Sequence, residues 1–184
     1  YLFVKKNPKI KNFLLVTLLI RTLLVILDEY FITLPFTEGD AATFEIVAYN
    51  WSIEKGFDII SNSLSLHSYF ISSFITIFYV FFDRSEMMAK MFSVGFGTAS
   101  VYSIYRLTQI IWGTPAAIKA AWISTFFPSL ILYSCLIMRE VYIIFFLLYA
   151  LINCINFIKN NRFIYILKLS FGFFIASLFH GPII

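Results

Sequence analysis

The chain has 184 residues, of which 60% are apolar and only 13% are charged, and its mean hydropathy is +0.86. A soluble domain of this size cannot bury so much apolar surface, so the composition indicates a bundle of membrane-spanning helices. The net charge of +4 is spread over short segments, which argues against a nucleic-acid partner. Cys135 and Cys154 lie in apolar runs and suggest neither a disulfide nor a metal site.

The first predicted element is a membrane span at residues 13–30. It follows four lysines, at positions 5, 6, 9 and 11, and the positive-inside rule therefore predicts a cytoplasmic N-terminus. The run lacks a small-residue cleavage site, which indicates an anchor and not a cleaved signal peptide. Arg21 lies in the middle of the run, where a charge costs about 2.5–3.5 kcal/mol, so we expect it to face protein or to snorkel.

An acidic segment follows the first span, and Glu38 and Asp40 lie one residue apart within it. Asp40 is well placed as the N-cap of a predicted helix at 40–52. The apolar residues of that helix recur at i, i+3, i+4 and i+7 and form one stripe: Phe44, Val47, Ala48 and Trp51. The pattern is typical of an amphipathic helix that lies at the membrane interface.

The apolar run at 66–82 allows two topologies. If it spans the membrane, every later loop changes sides. If it is juxtamembrane, the later spans are predicted at 88–105, 120–138, 141–157 and 166–180. All ten acidic residues then lie on the outer side or at its edge, and nine of the fourteen basic residues lie inside. The positive-inside rule favours this second topology. The predicted fold is therefore an all-α, polytopic transmembrane helix bundle with juxtamembrane helices in its first external loop.

Details of the later spans predict how they pack. Ser93, Gly97 and Ser100 give the 88–105 helix a face of small residues suited to close helix packing. A cytoplasmic loop with Gly113 and Pro115 is expected next. Pro128 should kink the span at 120–138, a distortion that neighbouring helices can accommodate.

In this topology the Glu38–Asp40 pair and Glu140 share the outer face of the bundle. A carboxylate there could take the proton from a hydroxyl that attacks a sugar, and the guanidinium of Arg139 could bind a phosphate with two hydrogen bonds. Structural roles explain the same residues. Asp40 as a helix cap is worth about 1 kcal/mol, Glu38 is then a solvated loop acid, and Arg139 and Glu140 anchor a helix start at the interface.

The order of these features resembles the N-terminal part of the GT-C glycosyltransferases. The resemblance rests on the basic N-terminus, the single span, the acidic external loop, the helix beginning Asp40-Ala-Ala-Thr-Phe-Glu, and the later segments Phe127-Pro-Ser-Leu and Met138-Arg-Glu. It is greatest for the RgtA/B/C/D-like and protein-mannosyltransferase-like branches. Those proteins have further spans and often a soluble C-terminal domain, so we expect a longer natural chain.

The resemblance implies transfer of a sugar from a polyprenyl-phosphate donor to a glycan, lipid or protein acceptor outside a bacterial inner membrane. Asp40 would be the base or would hold a divalent metal ion, Glu38 would assist it, Glu140 would be the second-loop acid, and Arg139 would bind the donor phosphate. Gly39 separates two acids that are adjacent in many relatives, and many relatives have Asp in place of Glu140. The division of roles among the acids therefore stays open.

A second hypothesis is a non-catalytic flippase or a polysaccharide polymerase or assembly protein. The outer acids would then be surface charges or part of a polar path. A transport path requires charges that face one another within the spans, and Arg21 is the single candidate that the sequence offers.

Overall fold

The computed structural model describes residues 8–58 and 69–180, and within these ranges every regular element is helical. A π-helical turn, Thr37–Ala41, which is kinked at Gly39 (φ −96, ψ −123), and a 3-10 turn, Gly56–Asp58, flank the second α-helix. The α-helices are α1 (Pro8–Tyr30), α2 (Ala42–Glu54), α3 (Phe70–Phe82), α4 (Glu86–Trp112), α5 (Thr114–Thr125), α6 (Pro128–Cys135), α7 (Arg139–Asn160) and α8 (Phe163–His180).

Three helices of the described chain, α1 from Ile10 onward, α7 and α8, are long and apolar enough to cross a membrane. Helices α5 and α6 together reach the required length but are bent by 59° at the break between them. Helix α4, which contains the predicted span at 88–105, has 27 residues, or about 40 Å at a rise of about 1.5 Å per residue, but it is not among the helices of the described chain that are apolar enough to count as candidate spans. The protein is an all-α membrane helix bundle, and this prediction from composition is confirmed.

The helices alternate in direction, so that the ends of α1 and α8 and the starts of α4 and α7 lie at one end of the bundle. Lys90 near the start of α4 pairs with Asp28 near the end of α1, and Arg139 at the start of α7 bonds to the carbonyl of His180 at the end of α8. We call this the acidic end. At the opposite end, Lys159 Nζ donates to the carbonyl of Ile110 at 2.7 Å and so joins the ends of α7 and α4.

Helix α4 lies at the centre of the bundle, where it contacts α1, α5, α6 and α7. Its small-residue face is buried as predicted, with Ser93 and Ser100 inaccessible to solvent. Gly97 allows the closest approach, because a Cβ there would overlap Ser134 of α6 and lie 3.3 Å from Nε of Arg21. The small residues of α4 therefore fix its distance from both α1 and α6.

Helices α2 and α3 pack against each other as a pair. Phe44 and Ala48 of the predicted apolar stripe are buried in the core that α2 shares with α3, whereas Val47 and Trp51 are half-buried. Ser72 Oγ donates to the carbonyl of Phe44 at 2.7 Å and ties the two helices together.

The length of α3 bears on the ambiguous run at 66–82. Its 13 residues extend only about 20 Å, less than the hydrocarbon core of about 30 Å. Helix α3 is thus too short to cross alone, and the choice between the two topologies stays a prediction. Residues 66–68 of the predicted run lie outside the described residues.

Several predicted boundaries are wrong in detail. The single kinked span at 120–138 is two helices, and Pro128 is the first residue of the second, where its missing N–H needs no partner. The predicted loop with Gly113 and Pro115 is reduced to Gly113, because α4 runs on to Trp112 and α5 begins at Thr114. Gly113 has φ +84, a conformation suited to glycine that turns the chain in one residue.

Candidate functional site

A cavity of about 170 Å³ at the acidic end brings together residues from four segments of the chain. Asp40 comes from the π-helical turn, Thr43 and Phe44 from the first turn of α2, Tyr69 from the residue before α3, and Arg139 from the start of α7. The structure therefore places two of the predicted site residues, Asp40 and Arg139, in the lining of the same cavity. We call it the Asp40–Arg139 cavity.

Asp40 reaches the cavity because it does not cap α2. Phe36 adopts the left-handed conformation, with φ 74, and starts the π-helical turn that contains Asp40. The N–H of Ala42 is bonded to carbonyls of that turn, and the N-cap position is taken by Ala41, which makes no side-chain cap. The prediction of Asp40 as N-cap is wrong for this reason. Its carboxylate is exposed and faces the cavity.

Arg139 is held in position by groups from three helices. Its Nη1 donates to the carbonyl of His180 at 3.3 Å, and its Nε lies 3.7 Å from Oε1 of Glu140. Its guanidinium carbon lies 5.9 Å from the ring centre of Phe44. The start of α7 adds the partial positive charge of a helix N-terminus. A guanidinium and a helix N-terminus together favour an anionic ligand at this point.

The other two predicted acids lie near the cavity but do not line it. Glu38 is exposed on the π-helical turn. Glu140 is half-exposed beside Arg139, and its Oε2 has no hydrogen-bond partner among the described residues. The proposed roles of Glu38 as an assisting acid and of Glu140 as the second-loop acid stay predictions.

A buried charge cluster that the sequence reasoning missed holds the loop leading to Asp40. Lys90 Nζ lies 2.8, 2.7 and 2.8 Å from carboxylate oxygens of Asp28, Glu29 and Glu86. The side chain of Lys90 is 3% exposed and that of Asp28 is inaccessible. We call these four residues the Lys90 cluster.

The inner member of this cluster also binds the loop backbone. Asp28 Oδ1 accepts hydrogen bonds from the N–H of Leu34 at 2.8 Å and from the hydroxyl of Thr37 at 2.6 Å. Thr37 is the first residue of the turn that carries Glu38 and Asp40. The cluster therefore fixes the start of the acidic turn relative to α1 and α4.

A second ion pair, also missed, fixes α2 itself. Arg84 makes two hydrogen bonds to the carboxylate of Glu45, at 3.0 and 2.8 Å, and the hydroxyl of Tyr79 donates to the same carboxylate at 2.9 Å. Burial, and then the charge of Glu45, raise the pKa of Tyr79, so its phenol stays a donor. Glu45 lies four residues after Ala41 and three before Ala48, which are both buried. This spacing puts the three residues on one face of the helix, and it is the signal from which the burial of Glu45 could have been predicted.

Arg21 lies in the bundle interior, and none of its hydrogen bonds within the described chain involves a residue that lines the Asp40–Arg139 cavity. It is fully buried, as expected of an arginine that faces protein. Its Nε donates to Ser134 Oγ at 2.7 Å and its Nη1 to the carbonyl of Thr17 at 3.3 Å, while no carboxylate of the described chain forms a salt bridge with it. These contacts support the helix-packing role and join α1 to the end of α6.

Metal binding at Asp40 stays a prediction. No group of three or more His, Cys, Asp or Glu side chains within residues 8–58 and 69–180 is arranged to hold a metal ion. Asp40 is the one carboxylate among the cavity-lining residues that the structure describes. A single carboxylate suits a magnesium-like ion only where a substrate phosphate and water complete its coordination.

Comparisons of the chain with protein-family models, with curated proteins and with solved structures found no match.

Proposed function

We propose that the protein is a membrane glycosyltransferase, similar to the GT-C class, that moves a sugar from a polyprenyl-phosphate-linked donor to a glycan, lipid or protein acceptor. The observation that carries the proposal is the shared cavity of Asp40 and Arg139, which are far apart in the chain. Sugar transfer from a phosphate leaving group needs a base for the acceptor and a cation for the phosphate, and these residues supply one of each.

In the proposed reaction the donor phosphate lies against Arg139 and the acceptor hydroxyl lies against Asp40. The carboxylate of Asp40 takes the proton as the hydroxyl oxygen attacks the anomeric carbon. The bond between that carbon and the phosphate oxygen breaks, and the phosphate leaves with the electron pair. Arg139 stabilises the charge that develops on the phosphate, aided by the N-terminus of α7. One displacement of this kind inverts the anomeric configuration.

A divalent metal ion remains part of the proposal through the resemblance alone. Asp40 would hold it, and the ion would supply further neutralisation of the departing phosphate. The residues of this chain position the reactants in either case.

The proposed setting is a bacterial inner membrane with the N-terminus in the cytoplasm and the acidic end outside. The lysines before α1 support this orientation through the positive-inside rule. The alternating directions of the helices place Asp40 and Arg139 at the same end, as the orientation requires.

The test is transfer of a labelled sugar by the protein reconstituted in liposomes. Donors are a panel of polyprenyl-phosphate hexoses and pentoses, and acceptors are extracted envelope glycans and lipids. We expect labelled product of inverted anomeric configuration and release of polyprenyl phosphate. In Arg139→Gln, transfer should fall about 100-fold or more, while Arg106→Gln at the opposite end should act like wild type. Absence of transfer from every donor, or equal rates for the two variants, would contradict the proposal.

A non-catalytic flippase or polymer-assembly protein is the second candidate. The observation that favours it is the burial of charged side chains inside the helix bundle, at Asp28, Lys90 and Arg21. Such groups are typical of transport paths as well as of structural pairs. Movement of a labelled lipid-linked sugar across sealed vesicles without formation of a glycosidic product would favour this candidate over transfer.

A further inference from the structure

The Asp40–Arg139 cavity has an aromatic wall that the proposed chemistry does not use. Tyr69 lines the cavity and is 38% exposed. Its ring is held by two others, with centroids 5.8 Å from Phe44 at an interplanar angle of 72° and 6.4 Å from Trp51 at 77°. These edge contacts fix the ring while leaving part of it open to a ligand.

Apart from Tyr69 and Phe44, the residues that line the cavity are polar. Thr43 contributes an exposed hydroxyl, which also donates to the carbonyl of Gly39 at 3.2 Å, and Asp40 and Arg139 contribute a carboxylate and a guanidinium. A lipid tail would leave these groups without partners, and a small anion would make no use of the aromatic ring. A pyranose ring matches both parts, because its C–H face is apolar and its edge carries hydroxyl groups that donate and accept hydrogen bonds.

We propose that Tyr69 is a sugar-binding residue, with the C–H face of a pyranose ring packed on its phenol ring. The hydroxyl of Thr43 and one carboxylate oxygen of Asp40 then bond to the hydroxyl edge of the sugar, and the second oxygen of Asp40 takes the proton of the acceptor hydroxyl. That the bound sugar is the sugar of the donor rests on the proposed function. The transferred ring then lies between Tyr69 and the phosphate at Arg139.

Trp51 provides the readout, because its ring contacts Tyr69. The other two tryptophans, Trp112 and Trp122, lie on α4 and α5 and are replaced by Phe so that Trp51 is the sole tryptophan. Binding of methyl glycosides of the common hexoses and pentoses is measured by Trp51 fluorescence in detergent. We expect saturable quenching by at least one glycoside and no quenching by an acyclic polyol of the same size.

Variants at Tyr69 separate stacking from other effects. Tyr69→Phe and Tyr69→Trp should bind within about threefold of the parent, whereas Tyr69→Leu should bind about tenfold more weakly. Tyr30→Leu is the matched control, because Tyr30 is 67% exposed in the described structure and does not line the cavity. Since Tyr69→Trp adds a second fluorophore, its affinity is measured by calorimetry alongside the parent.

The outcomes distinguish this inference from the proposed function. Sugar binding that depends on an aromatic side chain at Tyr69, in a protein without transfer activity, would support the inference and contradict the transferase. Transfer activity with equal sugar affinity in Tyr69→Leu and Tyr69→Phe would overturn the inference alone. Quenching by the acyclic polyol equal to that by the glycosides would also overturn it.

Discussion

Replacement of Lys90 by Met removes the one cation of the Lys90 cluster and leaves three carboxylates together. Asp28 suffers most, because its side chain is inaccessible to solvent and its Oδ2 lies 2.8 Å from Nζ of Lys90. Glu29 and Glu86 are 23% and 39% exposed, so water screens much of their loss. The expected effect is therefore that of breaking one buried ion pair and not three.

The magnitude follows from the burial of that pair. Removal of one partner of a buried ion pair costs about 3–5 kcal/mol, and a chain of this size loses roughly 2–4 °C in Tm per kcal/mol. We therefore expect Lys90→Met to lower the Tm by roughly 6–20 °C, measured by thermal unfolding in detergent. Lys119→Met is the control, because Lys119 is exposed and has no salt bridge within the described chain. It should change the Tm by less than about 2 °C.

A second substitution tests whether the charge on Asp28 is the cause. In Asp28→Asn the amide oxygen keeps the hydrogen bonds from Leu34 and Thr37, while the buried charge disappears. The double variant with Lys90→Met should recover at least half of the lost Tm. A Lys90→Met variant as stable as Lys119→Met would refute the reasoning. A double variant less stable than Lys90→Met would refute it as well.

Two further predictions concern packing and topology. Gly97→Ala should destabilise the protein by about 1–3 kcal/mol in the same unfolding assay, because the new Cβ would overlap Ser134, whereas Gly95→Ala, with open space around it, should be neutral or stabilising. Equal stability of the two variants would contradict the packing described for α4. In a background without the native cysteines, Asp83→Cys and Glu140→Cys should both react with an impermeant thiol reagent from the outer side of right-side-out vesicles. Labelling of position 140 from the cytoplasmic side alone would overturn the orientation.

The sequence predicted the long helices because their apolar length is a local property. The spans at 13–30, 141–157 and 166–180 all lie within observed helices, since about 20 apolar residues in a row leave few alternatives. The pairing of Asp40 with Arg139 at one end also follows from a simple rule. If the run at 66–82 does not cross, the alternation of the remaining helices brings α7 back to the face where the acidic turn lies.

The parts that the sequence did not reveal depend on contacts between distant residues. Lys90 lies 61 positions from Glu29, and no local pattern pairs the two. The position of Asp40 depends on the left-handed conformation of Phe36, which a bulky residue adopts only when its surroundings impose it. An Asp before a helix is typical of an N-cap, so the local preference pointed to a cap where tertiary structure placed a cavity-lining side chain.

The central proposal is that Asp40 acts as the base for sugar transfer in the cavity that it shares with Arg139. The most direct measurement is the initial rate of transfer from the preferred polyprenyl-phosphate sugar by Asp40→Asn, which keeps the size of the side chain and removes the base. Glu54→Gln is the control, because Glu54 is exposed at the end of α2 and does not line the cavity. We predict that Asp40→Asn lowers the rate by about 100-fold or more, as expected for loss of a general base, while Glu54→Gln stays close to wild type. Full activity of Asp40→Asn would contradict the account.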